Sequence, residues 1–384
     1  MKVDVLQEKL SAAFALTNRV ASTKTTLPIL ANTLVETDGG RLKLSSTNLE
    51  VSLECWVGGN VEGEGSTTVS TSLFQNYIQN VSPQKLTLEL DENQLKLTGA
   101  SSKAEFVTMS ANDFPSFPSV SENVLLTLSP IKLQSLLKKV LFAAATNEGR
   151  PVLTGVLCRG TEDGLILVAT DGFRLSEVTV GWEALDAQAP AEPFEMIIPA
   201  KMLKEIGQFS SGISGEEGMW DMRLTEDKNQ VVFTTPELRV YARLLEAEYP
   251  QYENIIPNDF NTTVTFERES VIQGVRTAAI FAHSQSHTIT MQIQAEDNTV
   301  VLIAESNELG RQETTLPATV EGDSITTAFN ANYVLDALAG LDGDEAQIHM
   351  RAADAPALLT PVSTNDNERA RQVIMPIRLD RTTE

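Results

Sequence analysis

Three histidines occur in the 384-residue chain, His283, His287 and His349. Two of them stand four residues apart, the spacing at which one helical face presents two imidazoles to a metal. No Glu or Cys nearby completes a ligand set, and the apolar periodicity before the pair ends there, so the reading is a solvated loop. Gly212, Gly215 and Gly218 make a glycine-rich stretch. It lacks a Walker lysine and a following ribose-binding acid, and reads as a flexible linker. Neither a nucleophile elbow nor a Ser-His-acid pattern is present. Cys55 and Cys158 are isolated, which excludes a zinc knuckle and a disulfide framework and fits a reducing compartment. The expectation is a protein that catalyses nothing and holds no metal or cofactor.

The elements that would position any binding residues come three times. Leu42–Val51, Leu167–Leu175 and Leu302–Leu309 each read as strand, polar turn, strand. Their turns carry Thr47-Asn48, Thr170-Asp171 and Ser306-Asn307, 123 and then 136 residues apart, about a third of the chain. That period is too long for a solenoid and is that of a duplicated domain. Each third opens with an amphipathic helix, over Leu6–Ala21, Pro130–Ala145 and Arg268–His283. A shorter helix follows, over Ser72–Val81, Ala200–Phe209 and Asn330–Gly340. Alternating hairpins come next, at Leu86–Leu97, Met222–Phe233 and Gln347–Pro361. Two helices packed on antiparallel sheets make each unit α+β. Linkers fall near 119–127 and 253–262, and the expected domains are 1–120, 128–253 and 258–384.

Net charge is −23, which alone argues against nucleic acid. The six helices are nevertheless net positive on these boundaries, so the acid lies on strands and loops. If the helices share a surface, it is a mildly basic face on an acidic body. No run approaches 18 apolar residues, and Leu10–Leu16 is short for a signal segment, so a cytoplasmic location is expected.

Three segments together are specific: Thr170-Asp171-Gly172-Phe173-Arg174-Leu175, Val373-Ile374-Met375-Pro376-Ile377-Arg378-Leu379, and Thr26-Leu27-Pro28-Ile29-Leu30. Their order, spacing and threefold period resemble the bacterial sliding clamps, the beta subunits of DNA polymerase III, over essentially the whole chain. The resemblance implies three tandem clamp domains, joined head to tail in a homodimer that forms a six-domain ring. It implies a non-catalytic processivity factor that encircles double-stranded DNA without reading its sequence and tethers the replicative polymerase. The clamp loader, repair polymerases and other proteins with a clamp-binding motif are the further partners implied, with no membrane role. A topological hold needs few phosphate contacts, each of which adds salt-dependent affinity and drag. A β-rich oligomeric scaffold that binds peptides without DNA is the alternative.

By resemblance, Lys24, Asn147, Arg150 and Lys201 occupy DNA-facing positions, and Lys132, Lys138 and Lys139 add to that face from the long central helix. Ser72 stands where some clamps have Arg, and Pro151-Val152 replaces an aromatic pair, which weakens the match at the DNA loop. The partner-peptide groove is expected at Leu153, Thr170, Gly172, Phe173, Arg174, Leu175, Pro250, Ile255, Val373, Ile374, Met375, Pro376, Ile377, Arg378 and Leu379. Aliphatic, Met and Pro side chains there would make an apolar pocket for a partner's anchors. Phe106 on one side, and Ile280 with Phe281 on the other, match the dimer interface.

Overall fold

The computed structural model describes residues 1–21, 27–147, 149–212, 218–282, 287–306, 308–362 and 367–378. The first repeat opens with β1 (Lys2–Leu6), α1 (Gln7–Val20), β2 (Asn32–Asp38), β3 (Arg41–Thr47) and β4 (Val51–Val57). It continues through β5 (Gly59–Gly63), β6 (Ser66–Ser70), α2 (Thr71–Gln79), β7 (Lys85–Asp91), β8 (Gln94–Thr98) and β9 (Lys103–Met109). The second begins with β10 (Val120–Leu128), α3 (Pro130–Val140), β11 (Gly155–Gly160), β12 (Gly164–Thr170) and β13 (Arg174–Gly181). It ends with β14 (Phe194–Pro199), α4 (Ala200–Gly212), β15 (Trp220–Thr225), β16 (Gln230–Thr234) and β17 (Leu238–Arg243). The third starts with β18 (Thr262–Glu267), α5 (Arg268–Ala282), β19 (Thr288–Gln294), β20 (Thr299–Ser306), β21 (Gly310–Pro317) and β22 (Thr319–Gly322). It closes with β23 (Ile325–Asn330), α6 (Ala331–Ala339), β24 (Glu345–Met350), β25 (Ala357–Pro361) and β26 (Glu368–Ile374).

The long helices form because their apolar residues recur at helical spacing. In α1, Leu10, Ala13, Phe14 and Thr17 are buried; in α5, Val271, Ile272, Val275 and Ala278 are. α3 begins at Pro130, whose fixed φ suits a first turn, and ends at Val140, where a 3-10 turn over Leu141–Ala143 takes over. Phe14 of α1 meets Phe74 of α2 at 4.5 Å between ring centroids, sealing the helices onto the first sheet. At Gly274 of α5, an added Cβ would lie 2.9 Å from Leu302 and 3.1 Å from Leu316. Glycine there lets the helix backbone approach the sheet closely.

Contacts divide the chain into two compact units that cut across the repeats: residues 1–130 with 208–244, and residues 131–207 with 245–384. Within the first, strands run β10-β15-β16-β17-β4-β3-β2-β6-β9-β8-β7-β1-β5. β9 holds to β6 only through Thr68–Met109 and Val69–Thr108. Within the second, one sheet runs β14-β11-β12-β13-β26-β25-β24-β18-β22 and another β21-β20-β19-β23. The cut across repeats has a plain cause. β17 of the second repeat pairs with β4 of the first, and β26 of the third pairs with β13 of the second, so hydrogen-bonded seams join neighbouring repeats.

Candidate peptide groove and DNA-facing residues

The turn between β12 and β13 is built by its own side chains. Thr170 Oγ1 donates to the Arg174 carbonyl at 2.6 Å and accepts from the Gly172 amide at 3.1 Å. Asp171 Oδ1 accepts from the Phe173 and Arg174 amides at 2.9 and 3.0 Å. Gly172 sits at φ +91°, a conformation that favours glycine. The result pushes Phe173 outward, with 63% of its surface exposed. The first repeat uses the same chemistry, with Asn48 Oδ1 accepting from Glu50 and Val51.

β26 then lies along β13 in seven antiparallel pairs, from Arg174–Ile374 to Val180–Glu368. The ladder runs past the strand end, because the Met375 amide donates to the Phe173 carbonyl at 2.9 Å. A second bond, from the Ile377 amide to the Ala328 carbonyl at 2.8 Å, fixes the chain beyond. Leu175 and Val373 thereby join Leu157, Val168, Ile197, Tyr252, Ile256 and Leu358 in one apolar cluster, with Tyr249 and Val152 packed on it. Leu153 is buried, whereas Pro250, Ile255, Met375 and Arg378 are exposed and Pro376 and Ile377 half-buried. Thr170, Leu175, Val373 and Ile374 are buried as well. Floor and rim thus coincide in one compact unit, an apolar surface edged by exposed Phe173, Met375 and Ile255. Leu379 lies outside the described residues.

Arg174 anchors the wall. Its guanidinium bonds Asp171 at 3.0 Å and Asp336 of α6 at 2.6 Å, and lies 4.5 Å from the Tyr333 ring centroid and 5.4 Å from that of Phe142. Tyr249 and Tyr252 back the floor. Burial pushes the Tyr249 phenol well above its ordinary range, and burial with the nearby Glu177 charge pushes Tyr252 up to about 12. Both hydroxyls therefore stay protonated donors; Tyr249 donates to the Val168 carbonyl at 3.3 Å. The sequence places Pro250 in the groove without revealing the role of its neighbours Tyr249 and Tyr252, and it gives no sign of Phe142, Tyr333 and Asp336. Those three lie in segments that share no motif.

The basic residues expected to face DNA separate into distinct cases. Lys138, Asn147, Arg150 and Lys201 are exposed. Lys24 falls outside the described residues. Lys132 is tied down, bonded to Asp186 and to the Ala184 carbonyl, both at 2.5 Å. Lys139 corrects the expectation: it is 4% exposed and ion-paired with Asp342 and Glu368. Burial opposes its charge, yet the two carboxylates prevail and hold its pKa above the ordinary lysine value. It ties the central helix to the third repeat and offers nothing to a phosphate. Lys9, Lys204 and Arg276 are further exposed cations on helices, outside the set expected from the sequence.

Phe106 is also a core residue, buried 4.6 Å from Phe74 and 5.5 Å from Tyr77 between centroids. Ile280 is exposed and Phe281 half-buried. His349 sits between Thr263 and Thr360, each at 3.1 Å, and burial lowers its pKa. Among the described residues no cluster of His, Cys, Asp or Glu could hold a metal ion, and no helix is long and apolar enough to cross a membrane. His283 lies outside them.

Three α+β repeats joined by strand seams define the three-domain clamp fold. Family models of the DNA polymerase III beta subunit match in chain order: the N-terminal domain at residues 1–118, the central at 127–251 and the C-terminal at 253–378. The beta sliding clamp of Synechocystis sp. is 29% identical over 396 residues, covering 99% of this chain and all of that protein. The crystal structure of the beta subunit from the DNA polymerase of Streptococcus pyogenes shares 25% identity and a TM-score of 0.90, covering 99% of this chain and 100% of that one. The sliding clamp of Bacillus subtilis, at 22% identity and a TM-score of 0.91 over 99% of both chains, supports the fold alone. The chain belongs to the DNA polymerase III beta subunit family, the beta sliding clamps, which are non-catalytic processivity factors of that polymerase.

Proposed function

We propose that two copies of this chain close into a ring around duplex DNA, and that each copy tethers partners through the groove over Leu175 and Val373. The full-length match in three consecutive domain models carries the reading. Exposed Lys138, Asn147, Arg150 and Lys201 are the positions proposed to meet the phosphate backbone. Sparse contacts suit a hold that depends on closure more than on affinity. Replicative polymerase, clamp loader and repair polymerases are proposed to present a short peptide whose apolar anchors enter the groove. Ile280 and Phe281 are proposed near the subunit joint, with Phe106 acting there by supporting its strand from the core. Cys55 and Cys158 are buried free thiols, which supports a reducing cytoplasm.

The test loads the protein onto nicked circular DNA with a clamp loader and ATP, then linearises the circle. Retention on circles and loss from linear ends is expected. Equal retention on both defeats the ring, and leaves the peptide-binding scaffold as the better account.

A further inference from the structure

The two seams inside the chain follow one plan. The residue before each short helix, Ser70 or Pro199, lies opposite Asn32 or Gly155. Two residues on, Leu34 and Leu157 lie between equivalent neighbours, Thr68 and Ile197 on one side and Ser45 and Val168 on the other. Next across the sheet stand Glu54 and Glu177, which face Arg239 and Arg371 over the seams. Two residues along, Ser52 faces Tyr241 where Leu175 faces Val373. The ladders also overrun their strands alike. The Arg243 amide donates to the Glu50 carbonyl at 3.0 Å, as the Met375 amide does to Phe173. Position by position, the groove of the second seam has a counterpart in the first.

The side chains at those counterparts differ in one direction. On the floor, Leu175, Val168 and Ile197 give way to Ser52, Ser45 and Thr68. On the rim, exposed Phe173 and Met375 give way to Glu50 and Arg243, also exposed but charged. Gly172, at φ +91°, gives way to Leu49 at φ +75°, which adds a side chain where the second turn has none. A left-handed leucine is costly, so this turn keeps its shape against its own residue type.

Val373 gives way to Tyr241, which is 1% exposed. Its hydroxyl donates to the buried Glu54 carboxylate at 2.8 Å, and Lys43 and Arg239 hold the same carboxylate at 2.8 and 3.3 Å. Its ring centroid lies 5.5 Å from that of Phe117. Phe117 ends the segment Asp113-Phe114-Pro115-Ser116-Phe117, the match in the first repeat to Glu248-Tyr249-Pro250-Gln251-Tyr252 beside the groove. Aromatic bulk, a fixed polar end and a covering ring thus hold one side chain in place.

We propose that the first seam is a groove of the same build closed from within, with Tyr241 as its resident occupant. Ser52, Tyr241, Glu50 and Arg243 confine partner peptides to one seam per chain. An apolar anchor entering the first seam would cross a charged rim, meet floor hydroxyls and displace a tyrosine from its carboxylate. Each of these costs desolvation that the second seam does not charge. Specificity here is built against one site as well as for the other. The proposal rests on the groove reading of the second seam and adds what sets its stoichiometry.

The test titrates the full chain calorimetrically with a synthetic peptide bearing a glutamine and two apolar anchors. The unaltered chain is expected to take one peptide. An opened variant carries Glu50→Phe, Ser52→Leu, Tyr241→Val and Arg243→Met, and leaves Glu54 its two cations. It is expected to take a second peptide, with affinity within roughly tenfold of the first. A second variant moves the closing pair across, Leu175→Ser with Val373→Tyr, keeping Phe173 and Met375 on the rim. Glu177 there stands ready to accept from the new hydroxyl, so melting should hold while peptide affinity falls roughly tenfold or more. An opened variant that melts cooperatively yet still takes one peptide overturns the proposal. So does unchanged affinity in the second variant, which decides alone if the opened one does not fold. An unaltered chain that takes no peptide defeats the groove reading itself.

Discussion

Replacing Lys139 by Met removes a charge that two carboxylates surround. Asp342 and Glu368 would then be left without their cation, so a loss of about 1–3 kcal/mol is expected near neutral pH. Because folding raises this lysine's pKa, its contribution is complete below the unfolded value and disappears as pH climbs through the folded one. The gap in melting temperature between the two proteins should therefore be full at pH 7 and shrink above about pH 10.5. A gap that widens with alkalinity would contradict the assignment. Phe173→Ala tests the groove instead: partner-peptide affinity should fall about tenfold with melting unchanged, read by calorimetric titration. The Thr170–Leu175 turn and the Val373–Ile377 segment are legible in the sequence because their residue types are diagnostic together. Lys139 is not, because a lysine on an amphipathic helix signals the surface, and its partners lie roughly two hundred residues away.

At the scale of elements, the seams bear on stability and the turns on register. Glu177→Gln leaves the Arg371 guanidinium with a neutral partner in a buried place, and should cost about 2–3 kcal/mol by denaturant unfolding. Gly322→Ala is the backbone counterpart. Gly322 has φ +105°, and a Cβ there would lie 1.9 Å from the Asn261 carbonyl oxygen, so β18 and β22 must part. A loss of about 2–4 kcal/mol is expected; an unchanged midpoint would show that this edge yields freely. Helices and hairpins can be read from periodicity, since each buries one face. Seams cannot, because pairing between β13 and β26 depends on strands far apart in sequence with no local signature. The same gap hides the division into units that cross the repeats.

For the whole molecule, net charge of −23 and a few exposed helix cations imply weak direct attraction to DNA. Residence on a closed circle, measured after loading, should then change little between 50 and 200 mM salt. A protein held by several phosphate contacts loses orders of magnitude over that range. A steep salt slope would mean that affinity, not closure, retains the chain.

Neighbouring repeats are joined twice, once by the covalent linker and once by a ladder, five pairs at the first seam and seven at the second. A protease cut in either linker, or a circular permutation that opens the chain there, would leave the adjoining strands clasped. In the proposed ring the joint between subunits is the one place with no peptide tether behind it. Wear would therefore be unevenly felt: nicks within a subunit are survivable, and release from DNA is confined to two of six joints.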